Sequence, residues 1–125
     1  MLKARLAVAL IGILLPYLAR VPGGMDWLTQ YTDTGLAGAL LLSAFNAIAW
    51  GSLLAISLLY RQPLSLLIAV IPAFAFLAWA HHSLDLSADG QSALGIVMFP
   101  IYALLPILIG GISGYLLDKR LRPAN

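Results

Sequence analysis

The sequence contains no cysteine and no glutamate, and only 10% of its residues are charged. Without cysteine there is no disulfide framework and no thiolate metal site. Without glutamate, five aspartates are the only side-chain carboxylates, and none of them falls inside an apolar run. Proton- or cation-coupled transport commonly uses carboxylates within the membrane, and these are missing. Intramembrane hydrolysis and metal catalysis likewise need nucleophiles, acids or ligands at depth. No enzyme, no cofactor and no nucleic-acid partner is expected.

What the chain does have is hydrocarbon. Of its 125 residues 62% are hydrophobic, against about 45–50% in a soluble domain. Four stretches carry no charge: 6–19, 35–60, 63–80 and 93–117. A bilayer core needs about 20 helical residues. The expected architecture is therefore all-α, an integral membrane four-helix bundle in a single transmembrane domain over 1–125. The spans are placed at 4–21, 35–60, 63–82 and 93–117. The first has a basic start at Lys3 and Arg5 and resembles a signal peptide, but it lacks a small-residue cleavage pattern, so a retained span is expected. Tyr17 and Arg20 extend it to the interface by snorkelling.

Charge distribution sets the orientation. With the N-terminus in the cytoplasm, that side receives Lys3, Arg5, Arg61, Lys119, Arg120 and Arg122, and the other side only Arg20. The positive-inside rule then puts both termini in the cytoplasm. Arg61-Gln62-Pro63 forces a tight hairpin, with proline suited to a first helical turn. The loop at 21–34 predicts a short helix capped by Asp26, and Ser92 is a plausible N-cap for the last span.

In the second span a small residue recurs at every fourth position: Gly35, Ala39, Ser43, Ala47, Gly51 and Ala55. Such a row reads as an internal packing face, and Gly110 and Gly114 repeat the device in the fourth span. Asn46, Ser43 and Trp50 lie on the same side, while Leu41, Phe45, Ile48, Ile56 and Leu59 lie on the opposite arc. An amide in hydrocarbon is costly unless bonded, so Asn46 must find an acceptor. Pro16, Pro72, Pro100 and Pro106 each free the carbonyl four residues earlier. The expected partner of Asn46 is Tyr102 or a freed carbonyl on the fourth helix. The other reading of this side is a polar conduit lined by Asn46, Trp50 and Tyr102.

The densest ionisable segment is HHSLDLSAD, residues 81–89. If helical, it sets His81, Asp85 and Asp89 on one face with His82 beside them, a weak candidate for a divalent ion. The plainer reading is a polar exit from the bilayer.

The tail DLSADGQSALGIVMFPIYALLPILIGGISGYLLDK is similar in character to small bacterial inner-membrane proteins. That likeness implies a multi-pass protein of the cell membrane and no activity. Small multidrug exporters share the four-helix outline but depend on an embedded glutamate. The resulting expectation is a non-enzymatic accessory protein acting through helix–helix contacts. Its partners would be membrane lipids and an integral-membrane protein or further copies of itself. The alternative is an oligomeric channel or transporter for an uncharged solute or lipid.

Overall fold

A computed structural model describes residues 1–33, 35–88 and 94–122, and the described residues form helices and turns without strands. Helix α1 spans Leu2–Leu18 and is followed by a 3₁₀ turn at Val21–Gly23. Gly24, at φ 92°, reverses the chain into a short helix α2, Met25–Thr32. Gly24 is also the N-cap of α2, so Asp26 does not cap this helix; it sits in the first turn, where it complements the helix dipole. Helix α3 covers Gly35–Ile56 and tightens into a 3₁₀ turn at Ser57–Leu59. Tyr60 is extended, Gln62 is extended as the residue before a proline prefers, and Pro63 opens α4, Pro63–Ser83. Helices α5, Leu94–Tyr102, and α6, Leu104–Leu121, make up the last long segment. The proposed cap Ser92 lies outside the described residues.

Among the described residues four segments are long and apolar enough to cross a membrane: Leu2–Gly23, Gly35–Leu59, Pro63–Ser83 and Leu94–Leu121. The last runs further than its charge-free stretch, because α6 continues through Asp118, Lys119 and Arg120. It also changes helix at Ala103, which is fully buried. Pro106 therefore stands in the first turn of α6, where a missing N–H costs little.

Helix α4 is the centre of the bundle. It buries Ser65, Leu66, Ala69, Val70, Ala73, Leu77, Ala80 and His81, spaced by threes and fours along one broad face. Helix α1 lies against both α3 and α4, α5 lies on α3, and α6 lies on α4. The α4–α6 contact is the closest because two glycines permit it. A Cβ at Gly110 would fall on the Ala69 carbonyl oxygen, and one at Gly114 would lie 2.7 Å from both the Ser65 carbonyl and the Tyr60 hydroxyl. On the other side, a Cβ at Gly12 would lie 2.6 Å from the Cβ of Trp50, so α1 and α3 touch at that point.

The row of small residues in α3 is not the packing face. The buried positions are Leu42, Asn46, Ala49 and Leu53, continued by Ser57. The physical reason is drift. Each step of four turns the row about 40°, so five steps carry it about 200° round the helix, while the buried face stays put. Ser43 is accordingly exposed, and Gly51 has nothing near the place a Cβ would occupy.

Candidate functional site

Three polar arrangements hold the bundle, one at each end and one in the middle. At one end the guanidinium of Arg20 is completely buried, and among the described residues it touches no carboxylate. Its Nε donates to the Trp27 carbonyl at 2.7 Å, and Nη1 donates to the carbonyls of His81 and Leu84 at 2.7 and 2.6 Å. Nη2 donates to Gln30 Oε1 at 2.8 Å, and the cation lies 4.5 Å and 4.1 Å from the ring centres of Trp27 and Tyr31. His81 and Leu84 are the last turn of α4 and the residue after it, where carbonyls lack helical partners and the dipole is negative. Arg20 is thus the C-terminal cap of α4, delivered from the turn that follows α1.

Tyr31 and Gln30 extend this network. The Tyr31 hydroxyl is 2.8 Å from His81 Nδ1, and burial pushes the phenol up to about 12. Gln30 Nε2 donates to Asp85 Oδ1 at 3.0 Å, and its Oε1 accepts from the backbone of Leu86. Asp85 also accepts from the Ser87 hydroxyl at 2.6 Å and from its N–H, which together hold the carboxyl below the usual carboxylate range. His82 Nδ1 lies 2.8 Å from the Ala19 carbonyl. These bonds account for the described part of the segment, residues 81–88. Helix α4 ends at Ser83 and Leu84 is extended, so His81 and Asp85 do not share a helical face. Among the described residues no group of three potential ligands forms, and Asp89 lies outside them.

At the other end Asp118 is equally buried. Its Oδ1 accepts the N–H groups of Arg61 and Gln62 and the Ser65 hydroxyl, each at 2.9 Å. Gln62 is the N-cap of α4 but makes no capping bond with its own side chain. Asp118, from α6, instead ties down the two residues just before the helix and sets a negative charge at its N-terminal end. Arg122 pairs with its other oxygen at 3.2 Å. Nearby, Arg5 donates to the Ser57 hydroxyl and carbonyl at 3.0 and 3.1 Å, and the Tyr60 hydroxyl donates to the Gly111 carbonyl at 2.7 Å.

Asn46 sits between the two ends, 3% exposed, and donates to the carbonyl of Gly12. That carbonyl is the one Pro16 leaves free on α1. The acceptor is therefore a proline-freed carbonyl, but on the first helix rather than the fourth, and not Tyr102. Tyr102 is 58% exposed and turned away from the core. Trp50 is half-buried against Gly12, with its Nε1 enclosed and unpartnered among the described residues. Within the chain, Asn46 faces into the bundle and Tyr102 faces out of it.

The sequence matches no protein-family model, no curated protein and no solved structure. Arg20 and Asp118 were missed at the level of sequence because charges at span ends read as interface anchors and topology signals. The one available signal is that Gln62 and the Ser83-Leu84 end of α4 offer no good caps of their own.

Among the described residues, one outward face of α3 is lined by small side chains. Ala44, Ala47, Gly51 and Ala55 fall within one arc of α3 that turns away from the bundle. Gly51 opens onto space, and Ala44 and Ala55 are exposed.

Proposed function

We propose that the protein is a multi-pass protein of the cell membrane, of bacterial inner-membrane type, with both termini in the cytoplasm. It works as a non-enzymatic accessory subunit, docking one apolar helix of an integral partner against the shallow face centred on Gly51. Two things support the membrane placement. The four apolar segments are long enough, and their outward sides carry large apolar side chains such as Leu36, Leu40, Ile71, Leu105 and Ile112. Support for the orientation comes from the charge that is left free. Lys3, Arg61, Lys119 and Arg120 are exposed at the end where Arg5 meets Ser57 and Asp118 meets Arg61. Arg20, the sole cation at the opposite end, is consumed as a helix cap. A net positive cytoplasmic end is what the positive-inside rule selects.

The observation that carries the functional reading is Gly51. In lipid, helices associate where small residues let backbones approach, and the Ala47-Gly51-Ala55 spacing is of that kind. The bundle does not use it, since nothing lies within 4 Å of a Cβ built there. The chain's buried amide and two of its buried charged groups are meanwhile bonded internally. A closed bundle with one thin outward face suits contact rather than chemistry.

Substituting Gly51→Leu tests this directly. The variant should keep wild-type melting in detergent and lose a stoichiometric foreign subunit from the complex extracted from membranes. Single cysteines at Ala47 or Ala55, in a chain that has no other, should cross-link to that subunit. An unchanged complex in Gly51→Leu, or cross-links only between identical chains, would overturn the accessory reading.

A further inference from the structure

A second outward feature differs from the Gly51 face in every respect. A groove of about 420 Å³ runs between the end of α3 and α6, lined by Ile56, Leu59, Leu108, Gly111, Ile112 and Tyr115. Its volume falls in the range of about 300–1,000 Å³ typical of small-ligand sites. We propose that it seats one acyl chain of an anionic glycerophospholipid, whose phosphate is held by Lys119 and Arg122.

Hydrocarbon is the occupant the walls accept. The Gly111 carbonyl in the floor is already taken by the Tyr60 hydroxyl at 2.7 Å. The walls are large and branched, unlike the small residues that admit a partner helix. A flexible chain can follow such a surface where a helix cannot approach.

Charge complementarity selects the headgroup. Leu108, Ile112 and Tyr115 repeat by four and three along α6, and the same spacing continues to Lys119 and Arg122. The apolar stripe thus runs into two cations on one face. Arg122 sits over the groove's end: its Nη2 is 3.4 Å from the Leu59 carbonyl and its Cζ 5.9 Å from the centre of the Tyr115 ring. Asp118 offsets part of that charge at 3.2 Å, but Lys119, Arg120 and Arg61 are exposed around it. Each basic side chain near an anionic headgroup favours it about fivefold.

The proposal rests on the membrane placement above and is independent of the Gly51 face. The test uses the full chain reconstituted in vesicles of equal phosphatidylglycerol and phosphatidylcholine, extracted in mild detergent, with retained lipid counted by native mass spectrometry. Phosphatidylglycerol should be retained at least about tenfold over phosphatidylcholine. Lys119→Gln should cut that preference about fivefold. Ile112→Trp, which fills the groove, should remove bound lipid while helicity and melting stay unchanged; Leu108→Trp fills it from another position should the first variant unfold. Equal retention of the two lipids, or undiminished phosphatidylglycerol in a folded filled variant, would overturn the site. So would efficient Ile112→Cys cross-linking between copies, which would put a second chain in the groove. A chain that washes off membranes sinks the placement as well, whereas a membrane-held chain without bound lipid sinks only this proposal.

Discussion

Arg20 and Asp118 never meet, yet they hold the two ends of one helix. Asp118 receives the N–H groups that precede α4, and Arg20 donates to the carbonyls that end it. Each has the sign that the dipole of α4 favours at its end, and each comes from a different neighbouring segment. The central helix is fastened at both ends by long-range contacts instead of by its own flanking residues.

Removing either fastener should therefore cost more than an ordinary cap. Asp118→Ala strands two N–H groups, the Ser65 hydroxyl and the Arg122 cation, for an expected loss of about 3 kcal/mol. Asp118→Asn keeps an acceptor and should lose about 1 kcal/mol. Arg20→Met strands three carbonyls and an amide oxygen and should cost about 3 kcal/mol, and Arg20→Lys should not restore it, because a point charge cannot reach all four acceptors at once. Unfolding titrations in mixed detergent micelles give these differences.

How much of this was legible in the sequence varies by interaction range. The four apolar segments and the hairpin at Arg61-Gln62-Pro63 follow from local pattern and proline chemistry. So does the need of Asn46 for an acceptor, and even the kind of acceptor. Which of four prolines supplies it depends on which helices are neighbours, and no local periodicity carries that. The row from Gly35 to Ala55 misleads for a geometric reason, since its repeat of four drifts off any fixed face. The span end placed at 82 falls within a residue of the end of α4 at Ser83, but no glycine or proline marks it, so the sequence leaves room for the weaker reading of a helix through Asp85. Arg20 and Asp118 reach partners roughly sixty positions away, beyond what spacing can show.

The pairing of Asn46 with Pro16 predicts a specific non-additivity. Asn46→Leu alone removes the side-chain donor to the Gly12 carbonyl and should cost about 1 kcal/mol. In a Pro16→Ala background the residue at position 16 regains its N–H and can bond Gly12 within α1. There Asn46→Leu should cost much less. A double-mutant cycle in detergent with coupling near zero would show that the proline and the amide are unrelated.

Tyr31 predicts an alkaline limit to the polar network around Arg20. Its phenol is raised from the ordinary 10.0 to about 12 by burial, against an opposing pull from Arg20. A folded-state value above the unfolded one means that the folded chain holds the proton more tightly. The contribution is then complete below about pH 10 and fades as pH climbs toward 12. In an absorbance titration of the five tyrosines, Tyr31→Phe should delete a late-ionising component. Tyr60, also raised by burial and by Asp118, should remain. Loss of an early component instead would place Tyr31 in solvent.

The two kinds of glycine supply the sharpest contrast. At Gly110 an added methyl would collide with the Ala69 carbonyl, which is backbone and cannot swing aside, so Gly110→Ala should lose about 1–3 kcal/mol through forced separation of α4 and α6. At Gly51 the same methyl meets nothing, and alanine is the better helix former, so Gly51→Ala should be neutral or stabilising by up to about 1 kcal/mol. Both residues sit in apolar helices at small-residue spacings, so composition alone would assign them the same effect. What separates them is which side of its helix each one faces. If thermal melts in detergent showed Gly51→Ala as damaging as Gly110→Ala, α3 would be rotated relative to the bundle described here, and its outward face would no longer be free for a partner.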